Sequence, residues 1–205
     1  MGSTLTDFDV QEVEHGTDES ADAATPVNAA AELDRILEER LLTMLYQPIT
    51  SLLDDSVVGY EALARGPEGS PLATPSAMFA AAEDAGKVKA LDVLCQSQAV
   101  VQARDVLLKS GHALFVNVDP TVLADAALGR DHDAAEHVSS LLRNVTAACP
   151  VVLEVSDRYD YESPADLLAV TMWARAQGFR VALDDVGVGT RNLAMLPLIE
   201  PDVIK

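Results

Sequence analysis

Residues 57–65, Val-Val-Gly-Tyr-Glu-Ala-Leu-Ala-Arg, form an apolar run that carries one acid, Glu61, and ends in Arg65. Residues 42–49 form a second strand-like run just before it, and only a turn at residues 53–56 separates the two. A connection this short favours an antiparallel pair, because a parallel crossover needs a dozen or more residues. We therefore expect the fold to open with a two-stranded hairpin.

After this hairpin, short apolar runs alternate with long helical patterns. The predicted strands are residues 114–118, 151–155, 180–184 and 202–205, and the predicted helices are residues 76–85, 88–108, 134–148 and 163–178, after a first helix from Asn28 to about Leu41. Strands and helices in such alternation form a parallel sheet. The predicted class is α/β, a (β/α)8 TIM-type barrel with an antiparallel first strand. A closed barrel takes about 250 residues, so we expect about six strands here, an incomplete barrel.

The charge of the chain is strongly negative and uneven. The net charge is −19, which excludes a nucleic-acid backbone as the partner because such a partner needs basic patches. Residues 1–34 hold nine acids and no Lys or Arg, and their few large apolar side chains cannot support independent folding. We predict an acidic disordered tail at residues 1–27, with solubility as its simplest role, followed by one domain at residues 28–205.

The sequence also predicts a compartment. Cys95 and Cys149 are far apart and form no CxxC motif, which is typical of reduced thiols in a cytoplasmic protein. The N-terminus lacks the basic and apolar regions of a signal peptide. No uncharged apolar run reaches the roughly 18 residues that a membrane span needs, so no membrane partner is expected.

Oxygen-bearing residues are predicted at the C-terminal ends of four of the strands, one for each strand. They are Glu61, Asn117, Glu154 and Asp184, the last followed directly by Asp185. In a (β/α) barrel the chemistry gathers at the C-terminal ends of the strands, and an all-oxygen set favours Mg²⁺ or Mn²⁺ over Zn²⁺. Adjacent carboxylates could hold two metal ions for displacement at phosphorus.

Each of these residues also has a simpler interpretation. A polar residue that ends a strand is commonly a turn former or a helix cap, and Asn117 could simply begin the next helix. Glu154 is harder to explain in this way, because a buried, unpaired carboxylate is costly. The prediction of a metal site depends on the joint occurrence, in order, of one such residue for each strand.

Several short motifs together resemble the EAL domain, the cyclic di-GMP phosphodiesterase family named for its Glu-Ala-Leu signature. The matching segments are Tyr46-Gln47-Pro48-Ile49, Gly59-Tyr60-Glu61-Ala62-Leu63-Ala64-Arg65, Phe115-Val116-Asn117-Val118, Leu153-Glu154-Val155-Ser156, Ala182-Leu183-Asp184-Asp185-Val186-Gly187 and Pro201-Asp202-Val203-Ile204-Lys205. The resemblance covers residues 41–205 without a gap and implies a metal-dependent hydrolysis of cyclic di-GMP to linear pGpG.

The resemblance also implies roles for individual residues. The first metal ion would be held by Glu61, Asn117, Glu154 and Asp184, and the second would be served by Asp185. Lys205 would position the attacking water and, with Glu61, would be catalytic. Leu63 would pack on a guanine base, Arg65 would contact a phosphate and Gln47 would be a weaker ligand contact. A homodimer could form through the loop after Asp185.

The sequence departs from the family pattern at two places. Val186 and Val188 replace the Phe and Thr of the usual loop, which weakens the case for two-metal catalysis. The chain stops at Lys205, before the family's later catalytic Glu. We therefore expect an impaired phosphodiesterase. The alternatives are a degenerate EAL domain that binds cyclic di-GMP or a protein, and a fragment without function.

Overall fold

The structure is a computed structural model in which residues 26–103, 111–145, 149–156, 164–184, 196–197 and 200–205 are described. Helices and strands alternate along most of the chain. The helices are α1 (Pro26–Glu39), α2 (Pro75–Asp84), α3 (Val88–Ala103), α4 (Pro120–Ala127), α5 (His132–Val145) and α6 (Pro164–Ala176). The strands are β1 (Thr43–Thr50), β2 (Val57–Arg65), β3 (Ala113–Asn117), β4 (Val151–Ser156), β5 (Arg180–Asp184) and β6 (Val203–Ile204).

The six described strands form one sheet in the order β1-β2-β3-β4-β5-β6. β1 is antiparallel to β2, and every later pair is parallel. This arrangement confirms the predicted α/β fold, including the antiparallel first strand and the incomplete barrel. The helices between the parallel strands provide the crossovers that such pairing requires.

The outer edge of β1 is covered by side chains of α3. Gln102 accepts a hydrogen bond from the Met44 N–H and donates one to the Leu42 carbonyl, both at 2.9 Å. Tyr46 donates its hydroxyl to the Ala99 carbonyl at 2.9 Å. Because unpaired edge groups invite pairing with other chains, these bonds both fix α3 on the sheet and protect the edge.

The two faces of the sheet have different partners because successive side chains in a strand alternate between faces. Leu114 and Val116 lie on the face that packs against the helices, within a large apolar core. Phe115 lies on the opposite, inner face. It belongs to a small apolar cluster there, with Ala113, Val152, Ala182, Ile49 and Val203. This apolar cluster covers the inner face of the sheet, next to the side chains of Glu61, Asn117 and Glu154 on the same face.

Several predicted boundaries differ from the structure. α1 begins at Pro26, so Asn28 lies inside the helix and does not precede it. Proline suits the first turn of a helix, where its missing N–H has no partner to lose. Residues 1–25 of the predicted tail lie outside the described residues. The predicted C-terminal ends of two helices, residues 104–108 and 146–148, also lie outside them.

α4 was absent from the predicted elements. Asp119 caps it, accepting hydrogen bonds from the N–H groups of Thr121 at 2.8 Å and Val122 at 3.2 Å. An Asp followed by Pro is a helix-start signal, so Asp119-Pro120 could have revealed this helix. Among the described helices, none is long and apolar enough to cross a membrane.

Candidate functional site

Most of the predicted site residues share the inner face of the sheet. On β2, Glu61 lies two residues beyond Gly59, which faces the Phe115 ring of the inner cluster. Asn117 lies two residues beyond Phe115, and Glu154 two beyond Val152. The period of two in a strand therefore places these polar side chains in one layer above the apolar cluster.

Two of these residues lie deeper in their strands than the sequence predicted. Glu61 is in the middle of β2 and Glu154 is two residues before the end of β4, whereas both were predicted at strand ends. The register explains the difference. The last pair of β2 with β3 is Ala62 with Val116, so β2 continues for three residues beyond this pair. Asn117 and Asp184 end their strands as predicted.

Three carboxylates come together in this layer. Glu61, Glu154 and Asp184 each place one oxygen so that all three atoms lie within 4.8 Å of one another. Lys205 is inserted among them. Its Nζ lies 2.7 Å from Glu61 Oε2, 2.7 Å from Glu154 Oε1 and 3.7 Å from Asp184 Oδ2. We call these four residues the carboxylate–lysine cluster.

Glu154 is the most deeply buried member, with only 1% of its surface exposed. Burial raises the pKa of Glu154 to about 7. The Lys205 hydrogen bond opposes this change, and the charges of Glu61 and Asp184 add to it. Burial disfavours the ammonium of Lys205, but its hydrogen bonds to Glu154 and Glu61 outweigh this and raise the pKa of Lys205. The cluster therefore holds a charged lysine next to a carboxyl that is easily protonated.

The donor atoms of the cluster suit a hard cation. Glu154 Oε2 is fully buried and has no hydrogen-bond partner among the described residues. The Asn117 amide donates to Glu61 Oε1 at 3.0 Å, which leaves its carbonyl oxygen for another partner. An all-oxygen set with an unsatisfied buried carboxylate atom fits Mg²⁺ or Mn²⁺. The residues present can thus hold the metal ion that the sequence predicted.

The predicted ligand contacts lie beside this cluster. Gln47 pairs directly with Glu61 across β1 and β2. Leu63 lines a cavity of about 160 Å³, which Asn117 and Phe79 also line. The guanidinium of Arg65 donates a hydrogen bond to the Ala64 carbonyl at 2.7 Å, and the acceptor in this bond is therefore a neutral backbone oxygen. A pocket with apolar walls thus adjoins the predicted metal ligands.

Two predictions concern residues that the structure does not describe. Asp185, the predicted ligand of the second metal ion, lies outside the described residues, and so does the loop after it, the predicted dimer contact. One buried acid near the site was not predicted: Asp92 of α3 lines the same cavity and is 2% exposed. Its position between Leu91 and Leu94, on the apolar side of a helical pattern, was the available signal.

The chain matches a known family over most of its length. The model described as EAL domain matches residues 30–205. Among curated proteins, the probable cyclic di-GMP phosphodiesterase PdeB of Escherichia coli (strain K12) is 28% identical over 181 residues, which is 84% of this chain and 33% of PdeB. The chain therefore spans about a third of the length of this relative.

Solved structures show the same fold. The PaMucR phosphodiesterase in complex with c-di-GMP has a TM-score of 0.68 at 24% identity, covering 86% of this chain and 70% of that one. Klebsiella pneumoniae BlrP1, in a calcium and cyclic di-GMP complex at pH 8.0, has a TM-score of 0.64 at 27% identity, covering 80% of this chain and 39% of BlrP1.

Proposed function

The chain belongs to the EAL domain family, and on this premise we propose that its site binds Mg²⁺ or Mn²⁺ and hydrolyses cyclic di-GMP to pGpG. The observation that carries the proposal is the carboxylate–lysine cluster. Its three carboxylates converge within 4.8 Å on one side of the sheet. Glu154 Oε2 is buried and has no hydrogen-bond partner among the described residues, which supports a metal ion as its partner. PdeB, a relative over 84% of this chain, is a probable cyclic di-GMP phosphodiesterase.

The proposed ligands of the first metal ion are Glu61, Asn117, Glu154 and Asp184, and Asp185 would serve a second. A bound divalent ion lowers the pKa of a coordinated water and so supplies a nucleophile at neutral pH. For Glu154 to act as a ligand, it must first lose the proton that its raised pKa favours. The ammonium of Lys205, freed from the carboxylates, would then orient the water or stabilise charge on the phosphodiester.

The remaining residues would bind the substrate. Arg65 carries a guanidinium that can accommodate a phosphate with two parallel hydrogen bonds. Leu63 supplies an apolar surface at the cavity and would pack on a guanine base. Gln47, opposite Glu61, would be a polar contact. Fixing the phosphodiester beside the metal ligands would contribute to catalysis through orientation.

The direct test is hydrolysis by the 205-residue chain. With Mn²⁺ and cyclic di-GMP, chromatography of the products should show pGpG, and Glu154→Gln should abolish it because the amide cannot provide the same charged ligand. Glu68→Gln, at an exposed turn position, is the matched control and should retain the rate. Equal rates in the two variants would contradict the assignment of the site.

The second candidate is a domain that binds cyclic di-GMP without cleaving it. Val188 favours it, since valine cannot make the hydrogen bond of the Thr that the family pattern carries in the loop near the second metal. Tight binding of labelled cyclic di-GMP without pGpG would support this candidate. A chain with neither binding nor turnover would fit a fragment that lacks function.

Three further expectations belong to the same proposal. Cys95 and Cys149 are free thiols, in keeping with a reducing, cytoplasmic compartment. The acidic disordered tail predicted at residues 1–27 is proposed only for residues 1–25, because α1 begins at Pro26, and proton NMR of the full chain would test it. A homodimer through the loop after Asp185 is testable by light scattering during gel filtration.

A further inference from the structure

The buried carboxyl of Asp92 has no role in the mechanism above. It lies on α3 with 2% of its surface exposed, between the buried side chains Leu91 and Leu94. Burial of an acid disfavours its charged form and costs stability unless hydrogen bonds offset it. An apolar residue would suit this layer better. The contacts of Asp92 therefore indicate what the acid does there.

Asp92 holds the turn between β3 and α4. Its Oδ1 accepts a hydrogen bond from the Asp119 backbone N–H at 3.2 Å. Its Oδ2 accepts one from Gln96 Nε2 at 2.6 Å, one helical turn along α3. Gln96 is fully buried and steadies the carboxyl from the other side. No apolar side chain could satisfy the Asp119 N–H, and a buried donor without a partner costs about 1–3 kcal/mol.

The same turn is tied to the sheet one residue earlier. The Val118 N–H donates to the Glu154 carbonyl at 3.2 Å. The side chain of Asp119 is already used to cap α4, so the backbone N–H of Asp119 depends on Asp92. Asn117 is the residue immediately before these two anchored positions, and its amide contacts Glu61.

We propose that Asp92 is a positioning residue: by accepting the Asp119 N–H, it fixes the β3–α4 turn and so holds the Asn117 amide at the carboxylate–lysine cluster. This inference rests on the proposed function, in which Asn117 is a metal ligand. Groups that orient metal ligands from outside the coordination sphere contribute strongly to metal affinity, and their loss typically weakens binding by about 10–100-fold.

The test measures Mn²⁺ affinity by calorimetry in the full 205-residue chain, without substrate. Asp92→Leu replaces the two carboxylate oxygens with methyl groups, which cannot accept a hydrogen bond, and should weaken Mn²⁺ binding by about ten-fold or more. Asp92→Asn keeps an oxygen for the Asp119 N–H and should stay within about three-fold of the wild type. Asp125→Asn, which removes a half-exposed acid from α4, is the control for charge.

A double variant separates positioning from general destabilisation. If Asp92 acts through Asn117, then Asp92→Leu should cause no further loss of Mn²⁺ affinity in an Asn117→Ala background. Equal losses in both backgrounds would overturn the proposal. So would a lowered melting temperature of Asp92→Leu with unchanged Mn²⁺ affinity, since that is what a merely structural role predicts.

Amide exchange at Asp119, followed by NMR, gives a readout that needs no metal. Its rate should rise at least ten-fold in Asp92→Leu relative to neighbouring amides, and it should stay near the wild-type rate in Asp92→Asn. Unchanged exchange in Asp92→Leu would overturn the inference. A wild-type chain that binds no Mn²⁺ contradicts the proposed function, and in that case the exchange rates still decide whether Asp92 holds the turn.

Discussion

The ammonium of Lys205 lies 2.7 Å from Glu154 Oε1, and it contacts Glu61 at the same distance. Lys205→Met should therefore leave three carboxylates without their cation in the metal-free protein. We expect a loss of about 1–3 kcal/mol in the free energy of unfolding at pH 7, limited because Glu154 can take up a proton. Urea denaturation in the presence of a chelator measures it.

Lys87→Met is the matched control for this prediction. Lys87 pairs with Asp34 at the surface, where its side chain is 40% exposed, so its loss should change stability by less than about 1 kcal/mol. Addition of Mn²⁺ should restore more stability to Lys205→Met than to the wild type, because the ion replaces the missing positive charge. Equal sensitivity of the two lysine variants would contradict the burial of the Lys205 ion pairs.

Gly59 leaves the space that the Phe115 ring occupies inside the sheet. A Cβ at Gly59 would lie 2.5 Å from Phe115 Cε2 and 2.6 Å from the Ala113 carbonyl oxygen. Gly59→Ala should therefore destabilise the fold by about 1–3 kcal/mol through overpacking, as measured by urea denaturation. In the Phe115→Leu background, Gly59→Ala should cost less stability than it does in the wild type, because the ring that the new Cβ would meet is gone. If Gly59→Ala costs the same stability in both backgrounds, the contact between Gly59 and the Phe115 ring is contradicted.

Asp92 should make a contribution to stability that falls as the pH rises through the acidic range. Burial raises the pKa of Asp92 well above its ordinary value; the Asp119 charge adds to this and the Asp119 N–H opposes it. Above the pKa of the unfolded chain, the unfolded state releases this proton while the folded state retains it, so unfolding is favoured. The loss continues until the pH reaches the raised pKa.

Asp92→Asn should remove this dependence. The stability difference in favour of the variant should grow above about pH 4 by up to about 1.4 kcal/mol per pH unit. Urea denaturation at several pH values, with Asp125→Asn as the control, measures the trend. Parallel pH profiles for wild type and Asp92→Asn would show that Asp92 ionises as readily in the fold as in the unfolded chain.

The alternation of apolar runs and helical patterns was enough to predict the sheet. Wholly apolar runs such as residues 151–153 have few alternatives to buried parallel strands, and the short turn before Val57 requires an antiparallel pair. The convergence of Glu61 and Glu154 followed from the fold class, because both lie on one face of the same sheet, on β2 and β4, which only β3 separates. Their depth in the strands could not be predicted, since it depends on the register between strands and not on any single strand.

Two features near the site depend on tertiary contacts that could not be predicted from the sequence. Asp92 occupies a position in α3 that a helical pattern assigns to the core, and only the fold shows that it meets the Asp119 N–H. Lys205 was expected near the substrate, yet only the fold shows its insertion between Glu61, 144 positions earlier in the chain, and Glu154. Long-range packing, and not local propensity, decides both.

Arg65 should contribute strongly to the affinity for cyclic di-GMP in the substrate site proposed above. Its guanidinium donates to the Ala64 carbonyl, a neutral acceptor that a phosphate can replace with stronger, charge-assisted bonds. Arg65→Ala should weaken binding by about 10–100-fold, the loss expected for a hydrogen bond to a charged group. Fluorescence polarisation of labelled cyclic di-GMP measures the affinity. Arg35→Ala, which removes a surface partner of Glu32, should leave it unchanged.

Arg65→Lys distinguishes two ways in which Arg65 could act. If the guanidinium binds a phosphate through two parallel bonds, lysine should recover only part of the affinity, because an ammonium cannot present that geometry. Full recovery by lysine would mean that charge alone is needed. An Arg65→Ala variant with wild-type affinity would remove Arg65 from the proposed substrate site and leave Leu63 and Gln47 as the proposed contacts beside the carboxylate–lysine cluster.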